Sequence, residues 1–129
     1  MLPGTLESLG WIEIRASNVA KAREALMQAL AGYRSQQVAP LGALALLSIL
    51  EARSGRKETA LEWIGILRAH PTLYPGAIEF LLSVHWDEIT AGLTPAQVEA
   101  ALARGAERSL NDLLRDLETQ DEKVGAAGA

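Results

Sequence analysis

Residues 41–70 read LGALALLSILEARSGRKETALEWIGILRAH, and this stretch decides the fold class. From Leu41 to Leu50 the side chains are apolar nearly all round a helix. Such a helix has no solvent face and is expected to be buried on several sides. Pro40 suits its first turn, and Ser54-Gly55 ends it. A second helix follows from Lys57 to about Ala69. It stops at His70-Pro71, because the residue before a proline is pushed out of helical geometry. The run therefore predicts a helical hairpin with one all-apolar arm.

Working outward, the same punctuation recurs. A helix is expected from Thr5 to Ala16, with Leu6, Leu9 and Ile12 or Glu13 at helical spacing. Ser17-Asn18 breaks it and caps a second helix, Val19 to Ala31, with Ala22, Ala25, Leu26, Ala29 and Leu30 on one side and Gly32 as its stop. Beyond the central hairpin, a helix runs from Pro75 to Ile89, with Gly92 behind it. Thr94-Pro95 caps a sixth helix through Arg104, terminated by Gly105. Ser109 with Asp112 resembles a capping box and starts a seventh, Leu110 to Glu118. Residues 120–129 are polar, then rich in Gly and Ala, and are expected to fray.

Composition agrees with an all-α chain. Of 129 residues, 22 are Ala and 21 are Leu, whereas Val, Ile and Thr together number 18. A β-sandwich or barrel needs more β-branched and aromatic residues than this. With no cysteine there is no disulfide framework and no thiolate metal site, which fits a reducing, cytoplasmic setting. No apolar run is long enough to span a membrane. Residues 1–70 carry eight Lys/Arg and six Asp/Glu, and residues 71–129 carry four and ten. The acidic half excludes a nucleic-acid face, and the first half is too mildly basic to suggest one.

The two hairpins look alike. Leu6, Leu9, Gly10, Ser17, Ala22, Leu26 and Ala29 recur 38 positions later as Leu44, Leu47, Ser48, Gly55, Ala60, Ile64 and Leu67. A small residue on each first helix (Gly10, Ser48) lets the second helix approach, and a small residue on the second (Ala22, Ala60) receives it. Stacked helical repeats are built this way.

These positions resemble the tetratricopeptide repeat family. The pattern departs from that family where its tyrosine is replaced by Glu13 and Glu51, where its late small residue is Leu67, and where its terminal proline is missing or displaced to Pro71. The run from Ala60 to Pro71, and the ending Ala100-Ala101-Leu102-Ala103-Arg104-Gly105 with Ser109-Leu110, also resemble the C-terminal region of bacterial signal-transduction ATPases with numerous domains (STAND) and of transcriptional activators related to the maltose-regulon regulator. The resemblance implies a right-handed α-α superhelix of about seven helices. Two hairpins would occupy 1–73, capping helices 74–119 and a disordered tail 120–129. It further implies that the chain is the C-terminal part of a larger signalling or transcriptional regulator, with nucleotide and DNA binding upstream.

No phosphate-binding loop, nucleophile elbow or zinc-binding His pair occurs in the sequence. His85 and Glu88 share a helix face but make only half a metal site. Glu58 with Glu62 and Asp112 with Asp116 are like-charge pairs expected on solvated faces. His70 suits a helix C-terminus, and Trp63 and Trp86 are expected to pack. The reading therefore assigns no catalytic residue, no cofactor and no metal, and the chain is read as a non-enzyme. What the resemblance does imply is a partner groove lined by the first helix of each hairpin. By position, the groove takes Glu7, Trp11, Ile14 and Arg15 from one unit and Ala45, Ile49, Ala52 and Arg53 from the other, with packing of Trp11 against the second helix as the alternative for that residue. Its partner would be a protein or peptide, or other domains of the parent protein. A homo-oligomer through the apolar N-terminal helix, and a structural domain with no specific ligand, remain open. Nucleic acid and membrane are not expected as partners.

Overall fold

The computed structural model describes residues 2–37, 40–70 and 75–128, and every regular element among them is a helix. The order is α1 (Pro3–Arg15), α2 (Val19–Ser35), α3 (Leu41–Arg53), α4 (Lys57–Ala69), α5 (Pro75–Thr90), α6 (Pro95–Ala106) and α7 (Leu110–Gly128). All-α architecture with seven helices agrees with the sequence. Pro71 and the expected boundary at 73/74 lie outside the described residues.

The organising element is α3. Every residue from Ala43 to Ala52 is buried, including Ser48 and Glu51. Ser48 donates its hydroxyl to the Leu44 carbonyl at 2.9 Å, so a buried polar group is satisfied within the helix. Packed around α3 are α1, α2, α4 and α5. The small-residue rule holds in both hairpins. A Cβ on Gly10 would stand 2.6 Å from Leu26 Cγ, and Ala22 and Ala60 are fully buried.

The repeat extends to the turns. At the end of α1 the Asn18 amide donates to the Glu13 carbonyl and the Ser17 amide to that of Ile14. At the end of α3 the Arg56 amide donates to Glu51 and the Gly55 amide to Ala52. Both are Schellman closures with a left-handed residue, Ser17 at φ 62° and Gly55 at φ 91°. The glutamates at the same position of the two units also have matching roles. Glu13 accepts from Asn18 Nδ2 at 2.7 Å, and buried Glu51 accepts from Arg56 Nε and Nη2 at 2.9 and 2.6 Å. Asn18 thus precedes α2 without bonding its first amides, contrary to its expected capping role. Its side chain turns back to α1 instead.

Two glycines act differently from the sequence reading. Gly32 does not stop α2, which continues to Ser35; it receives the ring of Pro3, whose Cγ would lie 2.6 Å from an added Cβ. Gly105 does not terminate α6 but is buried within its last turn. An added Cβ there would collide with the Glu62 carbonyl, and one on Gly65 with the Leu102 carbonyl. The helices α4 and α6 therefore cross backbone to backbone, which only glycine permits. The contacts pair Glu62 with Gly105 and Gly65 with Leu102, so α6 runs against α4.

The expected caps at Thr94 and Ser109 form. Thr94 and Gln97 exchange bonds in a capping box, and Ser109 and Asp112 do the same. The last helix, expected to end near Glu118, runs on to Gly128, because Gln120, Glu122 and Lys123 are good helix formers and no proline intervenes.

A serine in the left-handed region is strained where Gly55, its counterpart, is not. Ser17→Gly is expected to stabilise the fold by about 0.5–1 kcal/mol, read by urea denaturation. Gly105→Ala is expected to cost about 2–3 kcal/mol, since its Cβ meets backbone that cannot rotate away.

Candidate interaction site

Helices α1, α3 and α5 lie side by side. Glu7, near the start of α1, reaches Gly42 at the start of α3, and the end of α1 meets the end of α3 through Ile14 and Arg53. The two helices are therefore parallel. At the far end, Arg53 of α3 reaches Glu88 of α5. Between the ends, Glu7, Ser8, Trp11 and Ile12 of α1 face Leu46 of α3 and Leu81 of α5 across a cleft of about 300 Å³.

One polar network fixes the wall behind this cleft. Arg53 Nη1 donates to the Ile14 carbonyl at 2.5 Å, a second bond to an oxygen that already accepts from the Ser17 amide. Its Nε and Nη2 donate to the two carboxylate oxygens of Glu88 at 2.5 and 3.5 Å. Glu88 also meets His85 Nδ1 at 3.3 Å. The His85 ring then stands edge to face on Trp11, 5.5 Å between centroids and 89° between planes. Three helices are thereby tied to the orientation of one indole. The bond to Arg53, and less strongly that to His85, hold the Glu88 carboxyl below its ordinary pKa.

Glu7 is shifted the other way. Half-burial raises its pKa, and the Ala43 amide at the start of α3 only partly offsets this. Its charge, after burial, also pushes the Tyr33 phenol up. Among the described residues no lysine, arginine or histidine forms an ion pair with Glu7.

The structure divides the groove residues expected from the sequence. Glu7 and Trp11 line the cleft. Ile14, Ala45, Ile49 and Ala52 are buried in the core, where α1, α2, α4 and α5 all pack on α3. Arg53 is held by Glu88, and Arg15 is exposed outside the cleft. Ser8, Ile12, Leu46 and Leu81 were missed as lining residues. Ile12 was read on one stripe with Leu6 and Leu9, but it is 58% exposed, because the buried face of α1 is Pro3, Leu6, Gly10 and Ile14.

The other singled-out groups have structural surroundings. Trp63 is fully buried, and its indole N–H donates to Asp116 at 3.2 Å. Trp86 lies under the Arg68 guanidinium, 4.8 Å from the ring centroid. Glu62 and Asp116 are not simply solvated. Arg108 bridges them at 3.5 and 2.7 Å, and Arg104 adds a 3.6 Å contact to Glu62. Among the described residues no three His, Cys, Asp or Glu side chains are placed to hold a metal, and no helix is long and apolar enough to cross a membrane. Comparison of the chain with protein-family models, with curated proteins and with solved structures finds no significant match.

The lowered pKa of Glu88 gives a signed prediction. Its ion pair contributes fully above the ordinary carboxyl value of 4.5 and is lost as pH falls through the lower folded value. Glu88→Gln is expected to destabilise the protein at neutral pH by about 0.5–1 kcal/mol, the small size reflecting solvent screening of a partly exposed pair. It should also flatten the acid side of a thermal-melt series between about pH 3 and 7.

Proposed function

We propose that this chain is a non-catalytic helical-repeat interaction module, working as a sensor or scaffold within a larger signalling or transcriptional regulator. The observation that carries the proposal is the α1–α3–α5 cleft, in which a half-buried tryptophan, held by His85, stands beside apolar side chains and an unpaired carboxylate. Aromatic side chains fixed in a partly desolvated recess are the type that dominates binding energy at interfaces. The duplicated hairpins, with matching turns 38 residues apart, support the tetratricopeptide-like reading and a superhelical stacking of the units. In the parent protein, a partner seated in the cleft would favour one of two domain arrangements by its difference in affinity for them. A cytoplasmic setting suits a chain that uses no cysteine.

A photo-crosslinking amino acid placed at Ser8, on the cleft rim, tests this in cells of the natural host. It is expected to give a discrete adduct with another protein or with another domain of the parent. The same group at exposed Thr119 should not give it. Trp11→Ala should remove the adduct while leaving the helical circular dichroism intact. An adduct only with a second copy of the chain would favour the self-associating alternative, and the absence of any adduct would sink the interaction reading.

A further inference from the structure

The cleft has a composition that selects among partners. Its floor and one wall are aliphatic (Leu46, Ile12, Leu81), its other wall is the Trp11 indole, and its one ionisable lining group is Glu7. No basic side chain lines it. The Ala43 amide takes up part of the Glu7 carboxylate. A carboxylate has about four acceptor sites, so most of its capacity is unused. At about 300 Å³ the cleft is at the small end of ligand sites, with room for one long side chain and not for a large cofactor.

We infer that the cleft receives an arginine or lysine side chain from an apolar segment of a partner polypeptide, its alkyl stem lying along Ile12, Leu46 and Leu81 and its cationic head between Glu7 and the Trp11 ring. Long basic side chains bury their stems on apolar surface and keep the charged head at a polar rim. Carboxylate and indole both attract a cation, and an acidic or neutral head would leave Glu7 partly desolvated without a partner. The apolar flanks of the partner segment are matched by the exposed Ile12 beside the cleft and by Phe80 and Val84, 66% and 56% exposed, which flank Leu81 on α5. The raised pKa of Glu7 agrees, since burial outweighs the Ala43 amide and leaves the ionised carboxylate only partly compensated. This inference rests on reading the cleft as the partner site, and it adds the chemistry of the partner.

The test is a titration of the full chain with acetyl-leucyl-arginyl-leucyl amide, its neutral citrulline isostere and ethylguanidine, followed by the indole N–H resonance of Trp11, assigned through Trp11→Phe. The arginyl peptide is expected to bind with Kd on the order of 1 mM. The citrulline peptide should bind on the order of tenfold more weakly, and Glu7→Gln, which keeps an acceptor for the Ala43 amide, should abolish that difference. In the wild type the preference should also shrink as pH falls through the Glu7 pKa, a measurement that requires no variant. Equal binding of the two peptides, with Trp11→Ala weakening both, would overturn the cationic specificity but leave the interaction site standing. Ethylguanidine binding as tightly as the peptide would overturn the polypeptide partner, and a dimer formed through Ile12 and Trp11 would replace it with a second copy. No response of Trp11 to any probe would overturn this inference, while the crosslink at Ser8 separately decides the interaction module itself.

Discussion

A helix with no polar face has to be covered on every side, and α3 is such a helix. Its residues from Ala43 to Ala52 are all removed from water. One partner helix can cover only a stripe, so the hairpin partner α4 is not enough, and α1, α2 and α5 complete the coat. Burying a large leucine side chain contributes about 1.5–3 kcal/mol, so leaving even one flank of α3 exposed would forfeit a large part of the stability of a chain this size. The positions of α1 and α5 follow from this need. So does the cleft, which is the seam left where two covering helices meet over Leu46.

The charged side chains that α3 carries lie in its last turn. Glu51 is almost fully buried, yet Arg56 and the Gln120 amide, at 2.8 Å, satisfy both of its oxygens. Arg53 takes the Ile14 carbonyl and the Glu88 carboxylate together. A charge placed mid-helix on α3 would meet leucine on every side, whereas at the last turn it meets the carbonyls and turns of its neighbours. The same logic explains Glu13 and Glu51. At the third residue from the helix end, a carboxylate reaches the residue just past the left-handed turn, and both units use it that way.

The parts legible in the sequence are those fixed by local periodicity and turn chemistry. The seven helices, the capping boxes at Thr94 and Ser109, and the small-residue contacts of Gly10, Ala22 and Ala60 could be read directly. What could not be read depends on which elements meet. A glycine near a helix end serves equally as a stop or as a crossing point, and Gly32 and Gly105 were read as the first when they are the second. The expected groove residues divide for the same reason. Ala45, Ile49 and Ala52 share a face of α3, but their burial depends on which helices pack against α3. Glu62 and Asp116 look solvated by spacing alone because their partner, Arg108, lies on neither of their helices.

What remains is why the seam over Leu46 stays open when α1 and α5 rest on the same helix. Side chains alone would let α1 slide or roll until the exposed Ile12 met Leu81, since the apolar area gained would favour closure. Sliding is resisted at both ends of α1. At one end Glu7 lies against the first turn of α3, where a Cβ on Gly42 would come within 2.8 Å of its carboxylate. At the other, the Ile14 carbonyl is bonded to Arg53, which Glu88 holds in turn. Rolling is resisted by the edge-to-face contact of Trp11 with His85, whose side chain is only 10% exposed and cannot easily give way. The width of the cleft is therefore set by anchors at and behind its ends and not by the residues that line it, so Ile12 and Leu81 are free to meet a partner without being needed to hold the helices apart.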